Sequence, residues 1–269
     1  MYIYYHSQDT DGRTSGALAM MQYPDATILP LNYNQEIPEC RDHNIIFIDI
    51  TPSIQWLINN TNKDIYIYDH HLDAYNKIQQ LHLNNVHYMF DNDHCGAVIF
   101  YKAHAKLHND YLDRFLEYVD MYDTGKVRNA RNKDNIFSFS EYMYRKSVSD
   151  IQWIIQHKYN IDDIIRDGDV LRLDRLNVIT SQFKQGSVVT IADKKWFACA
   201  GQPSYYLVDM VETSCKECDG LLTYYTLNDK QYKISLRSNS VDCNKYIKYI
   251  NQNGGGHKEA AGCVYTKTN

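Results

Sequence analysis

The chain has 269 residues, 44% of them hydrophobic, enough for one large core or two smaller ones. Its net charge of −5 excludes a broad basic surface for long nucleic acid but leaves room for a small anion in a local basic pocket. No apolar run approaches the roughly 20 residues that span a bilayer, and Met1 leads straight into a strand pattern, so a cytoplasmic chain without a membrane partner is expected.

The first strand is predicted over 2–5, where Tyr2-Ile3-Tyr4-Tyr5 runs into His6-Ser7-Gln8-Asp9-Thr10-Asp11-Gly12. A helix over about 13–23 follows, opened by Asp11-Gly12-Arg13-Thr14, where free backbone N–H groups favour anions. A short strand near 27–31 comes next, then a strand over 45–49 that ends in Asp49, a short helix over 52–60 and a strand over 65–68 that ends in Asp69-His70-His71. A further helix is expected around 96–107, with His94-Cys95-Gly96-Ala97 as its start and close-packing segment. Such alternation predicts a parallel sheet with helices on both faces, and open sheets of this kind carry their chemistry at the carboxyl ends of the strands.

Three strands therefore deliver acids and imidazoles to one rim. Carboxylates gathered without cations repel one another, and a pair of divalent metal ions is the economical remedy. Mixed carboxylate and imidazole donors suit Mn²⁺, with Mg²⁺, Co²⁺ or Fe²⁺ as alternatives, and argue against structural zinc.

Farther along, Phe115-Leu116-Glu117-Tyr118-Val119-Asp120-Met121-Tyr122-Asp123-Thr124-Gly125 offers two more acids, Asp120 and Asp123. Residues 150–184 carry helical apolar spacing, and Asn160 and Gly168 suggest breaks that divide it into two or three helices serving as a connector. Gln185-Gly186-Ser187 reads as a linker. Beyond it a small α/β domain is expected, with strands near 188–191, 196–200, 221–226 and 231–236 and helices near 204–215 and 243–251. The domains are thus placed at 1–184 and 188–269.

Seven cysteines, an odd and scattered set, fit reduced thiols better than a disulfide framework. The solitary Cys215-Lys216-Glu217-Cys218 has no second ligand pair in view, so a zinc or redox role is disfavoured. Near the end of the sequence, Gly254-Gly255-Gly256 permits left-handed backbone and close approach to a ligand, and a helix start is expected after it. Arg237, on a strand just before, offers a planar fork for a terminal phosphate.

Taken together, His6-x-x-Asp9-x-Asp11-Gly12, Asp49, Asp69-His70-His71, Asp120 and the segment from Gly254 through His257 to Ala260-Ala261-Gly262 resemble the successive motifs of the DHH phosphoesterases of the DHHA1 subgroup. The stretch Ser235-Leu236-Arg237-Ser238 with Val241-Asp242 is most similar to the nanoRNase type, which cleaves short oligonucleotides. Two details depart from that type: the first motif lacks one residue before Asp9, and three glycines stand where four are frequent.

The resemblance implies that a parallel-sheet DHH domain, a helical connector and a smaller α/β DHHA1-like domain make up the chain. It implies metal ligands His6 and Asp9 on one ion, Asp11, His70 and Asp120 on the other, and Asp49 bridging; Asp123 is the alternative to Asp120, because Asp-Thr-Gly also fits a nanoRNase pattern. Asp69 would orient a neighbouring ligand and His71 would face the phosphate, so Asp49, Asp69 and His71 form the implied catalytic set. Arg237, Gly254, Gly255, Gly256 and His257 would hold substrate.

The implied activity is two-metal hydrolysis of short oligonucleotides or small nucleotides, with a homodimer compatible. Cyclic or linear dinucleotide signals, or a 3′-phosphorylated adenosine nucleotide, are the alternative substrates. A sensor or sponge that binds nucleotides without cleaving them is the alternative of another class.

Overall fold

The computed structural model describes residues 1–33, 35–38, 44–256 and 258–267. The chain divides into two compact units, Met1–Arg172 and Leu173–Asn269.

In the first unit, β1 (Tyr2–His6), α1 (Thr10–Gln22), β2 (Thr27–Leu31), β3 (Asn44–Ile48), α2 (Ile54–Asn59), β4 (Asp64–Asp69), α3 (Leu72–Gln79) and β5 (Val86–Phe90) follow in order. The five strands are parallel and lie in the order β2-β1-β3-β4-β5. This is a doubly wound sheet whose strand order reverses between β1 and β3, and such a switch point opens a crevice at the strands' carboxyl ends. Tyr4, Phe47 and Ile67 from three neighbouring strands bury one face against Leu57 of α2 and Ile78 of α3. Burying roughly one large apolar side chain stabilises by about 1.5–3 kcal/mol, so this layer holds the strand ends firmly in register.

Five helices complete this part of the chain: α4 (Gly96–Ala103), α5 (Asp110–Asp123), α6 (Lys133–Met143), α7 (Val148–Gln156) and α8 (Ile161–Lys184). α1 packs on α4, α5 and α7. The helix expected over 96–107 stops at Ala103, and a single 3-10 turn covers Ala105–Leu107. Gly168 does not break a helix: α8 runs through it, and a Cβ there would stand 1.9 Å from the Ser138 carbonyl oxygen, so the glycine serves close helix packing. Among the described residues no helix is long and apolar enough to cross a membrane.

The second unit holds β6 (Ser187–Ile191), β7 (Lys194–Ala200), α9 (Tyr205–Ser214), β8 (Gly220–Asn228), β9 (Gln231–Arg237), α10 (Cys243–Ile250), β10 (Gly255–Gly256) and β11 (Ala260–Thr266). The strands form one sheet in the order β10-β11-β9-β8-β7-β6, antiparallel except for the parallel pair β7 and β8. Alternation along β7 decides the layering. Trp196 and Ala198 pack with Cys243, Tyr246 and Ile247 of α10, whereas Phe197 and Cys199 pack with Leu207, Val208 and Val211 of α9. Ile179 of α8 joins the α9 side, so the last turns of that helix group with this sheet. Of the segment read as a linker, only Gln185 and Gly186 separate α8 from β6, and Ser187 already opens the strand.

Candidate metal centre

Every strand predicted to end in a ligand does so at the rim beside the switch point. His6 closes β1 and is buried. Asp9 caps α1, accepting the Gly12 N–H at 2.9 Å with one oxygen, while its other oxygen lies 2.8 Å from His6 Nδ1. Asp11 is buried in the first turn of α1, and its two oxygens accept the N–H groups of Gly96 and Ala97 at 2.7 and 2.8 Å. The start of α4 thus aims its amides at Asp11, an arrangement that suits a carboxylate. It needs close packing: a Cβ at Gly96 would stand 2.6 Å from the Asp49 Cβ, and one at Gly12 would stand 1.8 Å from the His6 carbonyl oxygen.

Asp49 is the hinge of the cluster. It follows β3 with φ of 59°, a left-handed conformation that costs of order 1–3 kcal/mol in a non-glycine residue, and its N–H is anchored on the Tyr68 carbonyl at 2.8 Å. Asp49 Oδ2 lies 3.5 Å from His6 Nδ1, and its Oδ1 lies 3.3 Å from His70 Nε2. His70 Nε2 is also 3.5 Å from Asp123 Oδ2. Three sets of donor atoms result, each within 4.8 Å of one another: His6, Asp9 and Asp49; Asp11, His70 and Asp123; and Asp49, Asp69, His70 and His71.

The sequence points first to Asp120 as the fourth acid, but the structure gathers Asp123. Three positions apart on α5, the two carboxylates face different neighbours. Asp120 turns to the start of α4, accepting the Cys95 N–H at 2.7 Å, lying 3.1 Å from His94 Nδ1 and accepting Lys126 Nζ at 3.1 Å. Those partners satisfy it, and it joins none of the donor sets among the described residues.

Asp69 is fully buried, and its partners are protein groups. It accepts the N–H groups of His70 and His71 at 2.7 and 3.2 Å and the Thr51 hydroxyl at 2.5 Å, and it lies 2.6 Å from His71 Nδ1. A carboxylate on Nδ1 fixes the imidazole's tautomer and orientation and leaves Nε2 for other partners. Tyr88 extends the chain, its hydroxyl 3.1 Å from Thr51 Oγ1. Neither Thr51 nor Tyr88 carried a motif in the sequence, and Tyr33, whose ring lies 5.3 Å from His6 and 6.0 Å from His71, was one of 24 tyrosines.

Electrostatics describe a cluster that needs positive charge. Burial works against protonating His6, yet hydrogen bonds to Asp49 and Asp9 outweigh it and push its pKa up to about 10. His70 rises in the same way, against burial, to about 9 through Asp49 and Asp123. Burial and the charges of Asp49 and Asp9 push Asp123 up to about 7, and burial with Asp49, Asp123 and Asp9 lifts Asp11 well above the carboxylate range. Asp49 goes the other way: burial is outweighed by hydrogen bonds from His6 and His70, which hold it below its usual range.

The donor set fits divalent ions on a second ground. His6 Nε2 is buried and has no hydrogen-bond partner among the described residues, an expensive state for such an atom without a ligand.

In the second unit, Arg237 ends β9 and donates to the Leu236 carbonyl at 3.0 Å. It lines a cavity of about 290 Å³ together with Lys216, Ser238, Asn239 and Cys218. The glycine segment differs from expectation. Gly255 and Gly256 form β10, which pairs with β11, so a strand and not a helix follows them; Gly256 has φ of 149° and no room for a Cβ beside the Ala260 carbonyl. Gly254 is buried, whereas nothing stands within 4 Å of where a Gly255 Cβ would lie, leaving that backbone open to a ligand. His257 lies outside the described residues. Cys215 and Cys218 bring their sulfurs to 2.7 Å but join no metal-ligating group among the described residues.

Residues 213–269 match the model of the DHHA1 domain. No curated protein sequence matches the chain. Among solved structures, a pGpG-specific phosphodiesterase, PggH, from Vibrio cholerae is similar at 13% identity and a TM-score of 0.61, over 99% of this chain and 94% of that one. An exopolyphosphatase-related protein from Bacteroides fragilis is similar at 16% identity and 0.57, over 100% of this chain and 87% of that one. RecJ from Thermus thermophilus, solved in complex with Mn²⁺, shares 12% identity at 0.50 over 99% of this chain and 49% of RecJ. At these identities the likeness is one of fold.

Proposed function

We propose that the chain, which carries a DHHA1 domain over residues 213–269 and has the fold of a DHH phosphodiesterase, is a DHH/DHHA1-type two-metal phosphodiesterase acting on short oligonucleotides or small nucleotides. The single observation that carries this reading is Asp49, placed between His6 with Asp9 on one side and His70 with Asp123 on the other. His6, Asp9 and Asp49 would hold one ion, and Asp11, Asp49, His70 and Asp123 the other. Mn²⁺ suits these donors best, with Mg²⁺ and Co²⁺ as substitutes. When bound, such a pair supplies Lewis acidity and a water-derived nucleophile at neutral pH.

The protein's own groups do the rest. Asp11 is held in place by the amides of α4, so its carboxylate is positioned before any ligand arrives. Asp69, braced by Thr51, orients His71, which would donate a hydrogen bond to the phosphate or a proton to the leaving oxygen. Arg237 and the open backbone at Gly255 would grip a terminal phosphate, with His257 beside them in sequence.

Linear dinucleotides are the second reading, because the Vibrio protein of similar fold is described as specific for one. A panel of di- to pentanucleotides, cyclic dinucleotides and 3′-phosphorylated adenosine nucleotide, assayed with Mn²⁺, tests the proposal. Release of mononucleotides from the short linear substrates is expected. Tight binding without any hydrolysis would point to a nucleotide sensor instead.

A further inference from the structure

Beside the carboxylate cluster lies a cavity of about 120 Å³ that the metal donors do not exhaust. It is lined by Asp9, Asp11 and Asp123 and also by Tyr118, Phe139 and Tyr144 of the helical layer. Pockets for whole drug-sized ligands run to roughly 300–1,000 Å³, so this one has room for part of a ligand only, about one flat ring system. Tyr118 and Phe139 stack at 5.0 Å with an interplanar angle of 25°, giving an aromatic wall that is buried and fixed. Tyr144, 51% exposed, marks the mouth. Arg13 lies over the Tyr144 ring, 5.5 Å from its centre, and its Nε is buried without a hydrogen-bond partner among the described residues.

We propose that this cavity receives the base of the nucleotide whose phosphate lies on the carboxylate cluster. The inference rests on the phosphodiesterase reading for the phosphate, and on the cavity alone for the base. Aromatic walls favour a planar π-system over an aliphatic group. The Ser140 hydroxyl offers a polar partner to a base on the aromatic side, and the Arg13 guanidinium over the Tyr144 ring offsets negative charge there. An all-acid lining without aromatics would have suited a cation alone.

Calorimetry on the Mn²⁺-loaded protein with AMP and with ribose 5-phosphate tests the assignment. Both probes carry the phosphate and only AMP carries a base. AMP should bind roughly ten- to a hundredfold more tightly, the range for stacking one base on aromatic side chains. Tyr144→Ala should remove most of that difference and leave ribose 5-phosphate binding unchanged, with an unaltered circular dichroism spectrum. Equal affinities in the wild type, or a variant that weakens both probes alike, would overturn the proposal. A protein that hydrolyses no phosphodiester yet keeps the base-dependent difference would overturn the phosphodiesterase reading and leave the cavity assignment standing.

Discussion

Asp123→Asn should stabilise the metal-free protein and weaken its response to Mn²⁺. Burial and the neighbouring Asp49 and Asp9 raise the Asp123 pKa from the usual 3.8 to about 7, so the native state holds this proton more tightly than the unfolded chain does. The penalty for ionising it is absent below pH 3.8, grows through the interval and is complete above about 7. Each pKa unit is worth ~1.4 kcal/mol, which sets a ceiling of about 4 kcal/mol; the side chain is 25% exposed, and solvent screening brings the expected gain nearer about 2 kcal/mol. For a unit of this size that is about 4–8 °C in Tm. Differential scanning calorimetry in EDTA should therefore show Asp123→Asn melting above the wild type at pH 8, with the gain gone at pH 4. Saturating Mn²⁺ should raise the wild type more than the variant, since a ligand that binds only the native state stabilises in proportion to ln(1 + [L]/Kd). Identical melting at pH 8 in EDTA would refute the ionisation penalty at Asp123, and an equal Mn²⁺ response would refute its assignment to the metal donors.

Asp49→Asn should keep the fold, because Asn tolerates the left-handed backbone at this position, and kcat should collapse as both donor sets lose a charge; near wild-type turnover and metal content would contradict the bridging role. The raised pKa values of His6, about 10, and His70, about 9, mean that both imidazoles are charged at neutral pH in the metal-free protein, and their stabilising contribution, full below pH 6.5, is lost as pH rises through 9–10. Mn²⁺ binding must displace those protons, so calorimetry in buffers of differing ionisation enthalpy should record proton release at pH 7 and an affinity that climbs toward pH 9; a pH-independent affinity would exclude the two histidines as ligands. Arg237→Ala should lower kcat/KM on phosphate-terminated dinucleotides by about ten- to over a hundredfold and spare bis-p-nitrophenyl phosphate, which needs only the metal centre; equal loss on both would make Arg237 a structural residue.

The site was legible where strand ends carry it, because a period of two ending in Asp or His is a local pattern. His6, Asp9, Asp11, Asp49 and His70 all meet at the rim that such ends create. The choice between Asp120 and Asp123 was not local: it depends on which face of α5 meets α4, and only the Cys95 N–H and Lys126 reveal that Asp120 is already satisfied. α3 and β5 escaped because they bury little; Ile78 is the one buried residue of α3, and no residue of the edge strand β5 is fully buried. α6 hides its apolar face among Ser138, Ser140 and Glu141, which tertiary packing buries despite their polarity. The glycine segment misled for a related reason. A left-handed glycine serves a hairpin arm as well as a helix start, and the pairing of β10 with β11 decides between them. Gly168 showed the converse, a helix breaker by propensity that close packing retains inside α8.

The most direct test of the account is hydrolysis of a 5′-phosphorylated dinucleotide by protein stripped of metal with EDTA and then dialysed. The account predicts no mononucleotide release from the stripped protein, restoration by Mn²⁺, and little restoration by Ca²⁺, whose oxygen-seeking chemistry is poorly served by His6 and His70. Full activity in excess EDTA, or no activity with any divalent ion, would contradict it.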